Sequence, residues 1–426
     1  MAERFVNVDR ETPMLLPPDL RDWVADNDLA KLILEAVELC DMQGAHSNVR
    51  GTGSEQYPPT MMLALLIYCY ATQTFSSRRI ERATYDSVAV RYICGNHHPD
   101  HDTIAAFRRN NGALFARCFA TVVQLARQAG VLKLAAISID GTRLSGAGSK
   151  ESVRTLQEIE EEIKKLESEA TALTAQAEHA DRNERDDGGT QLPLELADKQ
   201  RRKEKLLAAK AQIEERRRQA ALERRADGPQ SARRTSKASV SEPQSRTLRP
   251  NNSGGTVQGY NAQVAVDAAD SGLIVGMYLS DEPADNRLLG PSIESVVAEA
   301  GKPTVVLVDR GYESSELIAS LEASHGVMVL CPPRNRPHTK PDAKRRKRIQ
   351  RVFELRENMR ARLADPVLKE LYRRRGATVE PVFARIKRHM GFSHLHCWGH
   401  SAASAEWTLL GVAHNLRKLR GKLPQA

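Results

Sequence analysis

Three carboxylates stand out by their settings: Asp140, Asp309 and Glu380. Asp140 follows the short apolar, partly β-branched run Ala135-Ala136-Ile137-Ser138-Ile139 and precedes Gly141-Thr142. Asp309 follows Thr304-Val305-Val306-Leu307-Val308 and precedes Arg310-Gly311-Tyr312. Both runs predict buried strands that end in an aspartate. A lone aspartate in that position can simply cap the next turn. A pair, joined by a third acid, can instead offer oxygen ligands to a hard divalent cation. Glu380 closes the stretch Tyr372-Arg373-Arg374-Arg375-Gly376-Ala377-Thr378-Val379, and the helical pattern runs on to Lys387. At about 100° per residue, Glu380 and Lys387 fall almost on one helix face. A metal ligand and a cationic phosphate contact would then share that side.

The surrounding chain favours an acidic partner. Its 426 residues carry 63 Lys and Arg against 54 Asp and Glu, a formal net charge of +9. Such an excess suits a nucleic acid without specifying one. No stretch reaches the roughly 20 apolar residues that span a bilayer, and the N-terminus has no apolar signal region, so a cytoplasmic protein is expected. The six cysteines are scattered without a C-x-x-C pair, which predicts reduced, mostly buried thiols. Cys94, His97, His98 and His101 lie close in sequence and are zinc-ligand types, but Pro99 and Asp102-Thr103 favour a loop leading into a helix cap. His389, His394, His396 and His400 form a second loose group, more in keeping with surface helix and loop positions. Trp398 and Trp407 are expected to pack in the core.

The elements that must position the acids divide the chain into segments. Residues 1–130 predict a helical domain. Pro58-Pro59 opens a strongly apolar helix, Ser76-Ser77 caps a helix with Arg78 and Arg79, and Asp102-Thr103 caps one ending in Arg108-Arg109. Residues 131–150 hold the Asp140 strand. Across 151–225, Leu156, Ile159, Ile163, Leu166, Ala170, Leu173 and Ala177 keep a heptad-like seam. Asp186-Asp187-Gly188-Gly189 and Pro193 break it, and a second basic helix follows, which predicts an inserted, coiled-coil-like helical hairpin acting as a spacer or dimerisation arm. Residues 226–255, rich in Ser, Arg, Pro and Asn, predict a mobile linker. Residues 256–426 return to strands and helices: a hairpin over Tyr260–Asp267 and Leu273–Leu279, a helix, the Asp309 strand, another helix and the strand Val327–Leu330. A basic segment from Arg334 to Arg351 then leads to the helix of Glu380. This order describes an α/β domain with a mixed sheet.

The motifs together resemble a known family. The run Tyr57 to Arg109, with Pro-Pro, Ser-Ser-Arg-Arg-Ile-Glu and His-Asp-Thr-Ile-Ala-Ala-Phe-Arg, is similar to the N-terminal domain of insertion-sequence transposases. Ile139-Asp140-Gly141-Thr142, Gly259-Tyr260-Asn261-Ala262-Gln263 and Val308-Asp309-Arg310-Gly311-Tyr312 are similar to their catalytic core. Tyr372, Arg375, Glu380 and Lys387 match a C-terminal Tyr, Arg, Glu, Lys signature. The set resembles the DDE transposases of the IS4/IS5 superfamily, closest to the IS1182 family of bacterial insertion sequences. Four residues separate Arg375 from Glu380 where the family usually has three, so Arg373 and Arg374 compete with Arg375 for the phosphate role.

The resemblance implies a ribonuclease H-like core, plus an all-α N-terminal domain with Arg108 and Arg109 as DNA contacts. It implies two Mg²⁺ (or Mn²⁺) ions held by Asp140, Asp309 and Glu380, with Asp140 bridging them. Tyr372, Arg375, Arg374 and Lys387 would bind DNA. The implied activity is metal-dependent cleavage at insertion-sequence ends and strand transfer into target DNA. Double-stranded DNA (terminal inverted repeats and target) is the implied partner, with a homodimer to pair two ends. A metal-dependent nuclease without strand transfer is the alternative enzyme. A non-catalytic, transposase-derived DNA-binding protein is the alternative from another class.

Overall fold

The computed structural model describes residues 19–46, 56–182, 191–223, 236–249, 255–269, 271–334 and 343–422. Before the first strand come α1 (Leu29–Glu38), α2 (Pro59–Ala71), α3 (Ser77–Asp86), α4 (Val88–Ile93), α5 (His101–Asn110) and α6 (Gly112–Gln128). Pro59 occupies the first turn of α2, where its missing N–H is no loss. From Met62 to Ala71 every side chain but Tyr68 is buried, as befits a helix apolar all round. The cap of α5 differs from expectation. Asp100 takes that place, because its carboxylate accepts both the backbone N–H (2.8 Å) and the hydroxyl (2.8 Å) of Thr103.

The remaining elements follow in the order β1 (Ala136–Ser145), β2 (Val153–Thr155), α7 (Leu156–Arg182), α8 (Gln191–Glu223), β3 (Lys237–Ser239), β4 (Arg246–Leu248), β5 (Val257–Asp267) and β6 (Ile274–Ser280). Then come α9 (Leu289–Glu299), β7 (Val305–Leu307), α10 (Ser315–His325), β8 (Met328–Leu330), α11 (Ala343–Ala364), α12 (Pro366–Ala384) and α13 (His400–Arg420). The main sheet runs β4-β5-β1-β7-β8, and β6 pairs with β5 further along that strand than β4 does. Strand β5 is antiparallel to β1, β4 and β6, whereas β7 is parallel to both β1 and β8. Helices cover both faces. Ile137, Ile139, Val306 and Val308 join the large core with α6, α9 and α13, while Ala136, Val305, Leu307 and Leu330 pack under Leu363, Leu368, Leu371 and Tyr372. This mixed α/β architecture is consistent with a ribonuclease H-like core.

Helices α7 and α8 pack on each other through Ile159, Ile163, Leu206, Ala209 and Ile213. Their ion pairs run in opposite directions along the two helices, Glu160–Lys210 (2.9 Å) at one end and Glu167–Lys203 (2.8 Å) further along, so the pair is antiparallel. Pro193 lies beyond the end of α7, within the first turn of α8. Residues 183–190, including the Asp-Asp-Gly-Gly run, lie outside the described residues.

Within the segment expected as a mobile linker, residues 236–249 are ordered strand and turn. Serine suggests loop by composition, yet the hydroxyls here find partners inside. Ser152 bonds both Ser239 (2.7 Å) and Ser241 (2.6 Å), and Ser245 bonds the Glu242 carbonyl (2.7 Å). Glu242, 2% exposed, accepts from Tyr260 Oη (2.8 Å) and Gly148 N (2.8 Å).

Helix α13 joins the early helices to the sheet. Its Glu406 is fully buried and accepts from Tyr70 Oη of α2 (2.6 Å), from the backbone N–H groups of His396 (2.7 Å) and Cys397 (3.0 Å), and pairs with His396 Nδ1 (3.0 Å). Burial alone would raise its pKa, but His396, Arg108 and Tyr70 reverse the balance and hold it below its ordinary value. Its charge therefore stabilises the fold fully above the unfolded-state pKa, and the contribution is lost as pH falls through the lower folded value. Replacing Glu406 by Ala is expected to cost about 3–5 kcal/mol, as for a broken buried pair. In urea titrations, wild type should lose stability from roughly pH 5 downward more steeply than Glu406→Ala.

Candidate active site

The three expected acids sit on a frame set by two ladders of unequal length. Strand β1 is paired to β5 from Ile137 to Ser145, but to β7 only through Ala136, Ile137 and Ser138. Asp140 therefore does not end its strand. It lies mid-strand opposite Val264, because the β5 ladder continues past it. What ends beside it is β7. Ser138 pairs with Leu307, so in a parallel register Asp140 and Asp309 stand level, each two residues further on. Side chains alternate along a strand. Leu307 faces α12, Asp309 keeps an extended backbone (φ −81°, ψ 176°), and both acids continue the α12-facing stripe. Burial pushes the Asp140 carboxyl above the usual range; Arg375 pulls it back and the Asp309 charge pushes it further.

Helix α12 follows this stripe. Thr378 Oγ1 bonds Ser138 Oγ at 3.1 Å, and Arg375 Nη1 donates to Asp140 Oδ2 at 3.2 Å. Tyr372 Oη donates to the Val308 carbonyl at 3.1 Å, which ties the helix to the residue before Asp309. Asp309 in turn accepts Gly311 N at 2.7 Å and caps a short 3₁₀ turn, Arg310–Tyr312. Residues Arg385–His389 form a π-helical turn. With more residues per turn, it advances less than 100° per residue, which rotates Lys387 from the ideal α-helical position relative to Glu380. Lys387 Nζ instead donates to Thr142 Oγ1 on β1. Desolvation, then the Arg143 charge, lower its pKa.

Glu380 is exposed. A Cβ built on Gly376 would stand 3.2 Å from its Oε1, so the side chain leans back one turn along the helix. Among the described residues, no three His, Cys, Asp or Glu side chains converge as they would around a metal ion. Asp140 and Asp309 fit a hard cation by their donor set: both offer only oxygen, and they stand level on one stripe. Glu380 does not close the set in this arrangement, and Arg375 supplies positive charge to Asp140 instead.

Sequence reasoning missed a second layer on the opposite face of β1. Asp285, in the loop after β6, accepts from Asn261 Nδ2 (2.8 Å), Arg143 Nη1 (3.1 Å) and Gln263 Nε2 (3.4 Å). A Cβ on Gly311 would lie 2.8 Å from Asp309 Oδ1 and 3.6 Å from Asp285 Oδ2, so the two carboxylates flank that residue. Tyr312 Oη donates to Gln263 Oε1. Burial, then the charges of Asp285, Asp140 and Asp309, push its pKa far up and keep it a donor. The signal available was the Gly-Tyr-Asn-Ala-Gln run, whose Asn261 and Gln263 are polar in an otherwise apolar strand.

Other expected residues fall elsewhere. Arg108 is 6% exposed, with its guanidinium on Tyr70 Oη (3.0 Å) and the Phe75 carbonyl (2.6 Å). It braces the early helices and is not presented to DNA, because an apolar α5 face carries it inward. Arg109 and Arg374 are exposed. His98 bonds Thr84 (3.0 Å), His101 bonds Glu81 (2.9 Å) and Cys94 is buried. Trp407 is buried and donates to the Gln263 carbonyl (3.2 Å), whereas Trp398 is 55% exposed, contrary to its expected core position. All six cysteines are free and buried.

Two family models match the chain. One, described as a transposase domain (DUF772), spans residues 18–110; the other, described as a transposase DDE domain, spans residues 228–416. The chain belongs to the DDE transposases. The order of the two matches is consistent with the IS1182 branch within the IS4/IS5 superfamily. No curated protein and no solved structure matches the chain significantly. Asp309 and Glu380 fall inside the DDE match of this transposase, while Asp140 precedes it. No described helix of the transposase is long and apolar enough to cross a membrane.

The close fit around β1 generates a test. A Cβ at Gly141 would lie 2.2 Å from Gln263 Nε2 and 3.0 Å from Asn261 Oδ1. Gln263 is 1% exposed and held by Tyr312, so it has little room to shift. Gly141→Ala should destabilise by about 1–3 kcal/mol in thermal unfolding. Gly255→Ala, with no heavy atom of another described residue within 4 Å of the added carbon, should unfold like wild type.

Proposed function

We propose that this transposase cuts DNA at the ends of an insertion sequence and joins the freed ends to target DNA, using Asp140, Asp309 and Glu380 as metal ligands. The observation that carries the reading is the register of β1 and β7, which brings Asp140 level with Asp309 on the stripe crossed by α12. Asp140 and Asp309 would hold Mg²⁺ or Mn²⁺, and Glu380, exposed and leaning toward Gly376, would have to turn toward them to serve as the third ligand. A divalent cation held there neutralises charge on the scissile phosphate and makes water or a 3′-hydroxyl a better nucleophile. Before loading, Arg375 compensates the Asp140 charge and keeps two adjacent carboxylates tolerable. Tyr372 fixes α12 against the Asp309 strand, and Lys387 holds a cation over the open end of β1, where a phosphate would favour it.

The domain reading follows the same logic. Residues 1–130 serve as a helical, DNA-binding N-terminal domain with Arg109 on its surface. Residues 131–150 and 256–426 form the catalytic core, and 151–225 are an inserted helical hairpin. Pairing of two DNA ends calls for a homodimer.

The test is Mg²⁺-dependent cleavage of a duplex carrying the DNA that flanks the coding sequence. Wild type should nick at the element ends, and Asp140→Ala and Asp309→Ala should bind the duplex yet cut only at background. Glu380→Ala should behave likewise. If it alone cuts at the wild-type rate, Glu380 is not the third ligand; if all three variants cut, the activity lies elsewhere.

A further inference from the structure

The segment returning from α8 to the sheet carries several cations to one place. Lys237 on β3, Arg246 on β4 and Arg249 just beyond it line a cleft of about 660 Å³. Its other side is formed by Arg143, Arg334 and Asp285, and it reaches Gly311, the residue flanked by Asp309 and Asp285. Five cations thus face one carboxylate, and that carboxylate is already paired with Arg143 (3.1 Å).

The two sides differ in how firmly their charges are held. Arg334 is fixed through Nε and Nη2 to the Arg310 (3.1 Å) and Gly311 (3.2 Å) carbonyls, and Arg143 is fixed to Asp285. Across the cleft, neither Lys237 nor Arg249 forms a salt bridge among the described residues, and both are exposed. The Nε of Arg246 is buried with no hydrogen-bond partner among them. Behind it, Arg216 of α8 is 3% exposed and donates to the Pro243, Gln244 and Ser245 carbonyls and to Asp281. Burial, and the Arg246 charge, lower the Arg216 pKa. Lys237 also feels the Glu158 charge from outside the lining, but within the lining itself five cations stand against the one carboxylate of Asp285.

We propose that this cleft binds the phosphodiester backbone of the DNA strand entering the aspartate site, with Lys237, Arg246 and Arg249 as phosphate contacts. The proposal rests on the DNA-cutting reading above and goes beyond it in assigning the strand's path. It also gives the α7–α8 insertion a role other than that of a spacer. Arg216 clamps α8 to the turn between β3 and β4, so the helical pair fixes the wall that presents these cations. An anionic polymer suits the site because several phosphates can replace several missing counter-charges at once, whatever the base sequence.

The experiment measures binding of full-length protein to a fluorescein-labelled, random-sequence duplex by anisotropy across a salt series. Lys237→Ala/Arg249→Ala removes two exposed side chains and should fold normally, as checked by circular dichroism. Its plot of log affinity against log salt should be shallower by about two units, one for each phosphate left without its cation. Lys165→Ala/Arg201→Ala removes the same charge from the outer surface of the helical pair, where both side chains are 76% exposed, and should keep the wild-type slope. A wild-type slope for the cleft variant overturns the proposal, as does an equal drop in both variants, which would reflect net charge alone. Cleavage by wild type and Asp140→Ala is scored separately. No cleavage together with a reduced slope would sink the catalytic reading and leave the cleft standing. Cleavage with an unchanged slope would do the reverse.

Discussion

Strand β1 is held by two ladders of different length, and the rest of the candidate site depends on that difference. Its antiparallel pairing to β5 runs to Ser145, while its parallel pairing to β7 stops at Ser138. Between Ser138 and the isolated bridge of Ser145 to His394, that side of the strand has no partner among the described residues, and the α12-facing stripe there carries polar side chains. Below that point the same stripe is Ala136, Val305 and Leu307 under Leu371 and Tyr372. The change from covered to open occurs within one strand repeat. There a carboxylate can be half-desolvated and still reached by a charged ligand, a balance a fully buried acid could not strike.

Helix α12 turns this open stripe into a site with a defined charge pattern. Thr378 and Arg375 of α12 contact Ser138 and Asp140, and Lys387 of the π turn that follows contacts Thr142, so polar pairs line this face of β1. The π turn after Ala384 permits the last of these contacts by withdrawing Lys387 from the helix register. On the reverse face, Asp285 gathers Arg143, Asn261 and Gln263 against Gly141, which has no side chain to obstruct them. The two layers are coupled through Tyr312 and the turn capped by Asp309.

The helical pair α7–α8 separates Asp140 from the other acids in sequence, and the DDE match, which begins at residue 228, holds only Asp309 and Glu380. In space the separation vanishes, because β2 pairs with β3 at the base of the helices and returns the chain to its starting edge. The buried Arg216 and Glu242 hold that base, one on backbone carbonyls and the other on Tyr260 and Gly148. A long helical pair anchored by buried charge at its root need not loosen the sheet beside it.

The apolar runs before Asp140 and Asp309, the Tyr260–Asp267 and Leu273–Leu279 pair, and the seam from Leu156 onward were legible because burial imposes a period of two or of three to four on residue type. The motif spacing likewise pointed to the transposase family. Sequence could not say that Asp140 lies mid-strand, since strand length is fixed by the partner β5 and not by the residue itself. Nor could it exchange Arg108 for Arg109 as the exposed cation: both follow Phe107, and only helix packing decides which one turns inward. The ordered Ser239–Ser245 turn was invisible for a similar reason, as a serine reads as loop until its hydroxyl meets another. Local composition thus determined which segments form strands and helices. Only tertiary register, through ladders ending at Ser138 and Ser145, decided which charged groups share a face.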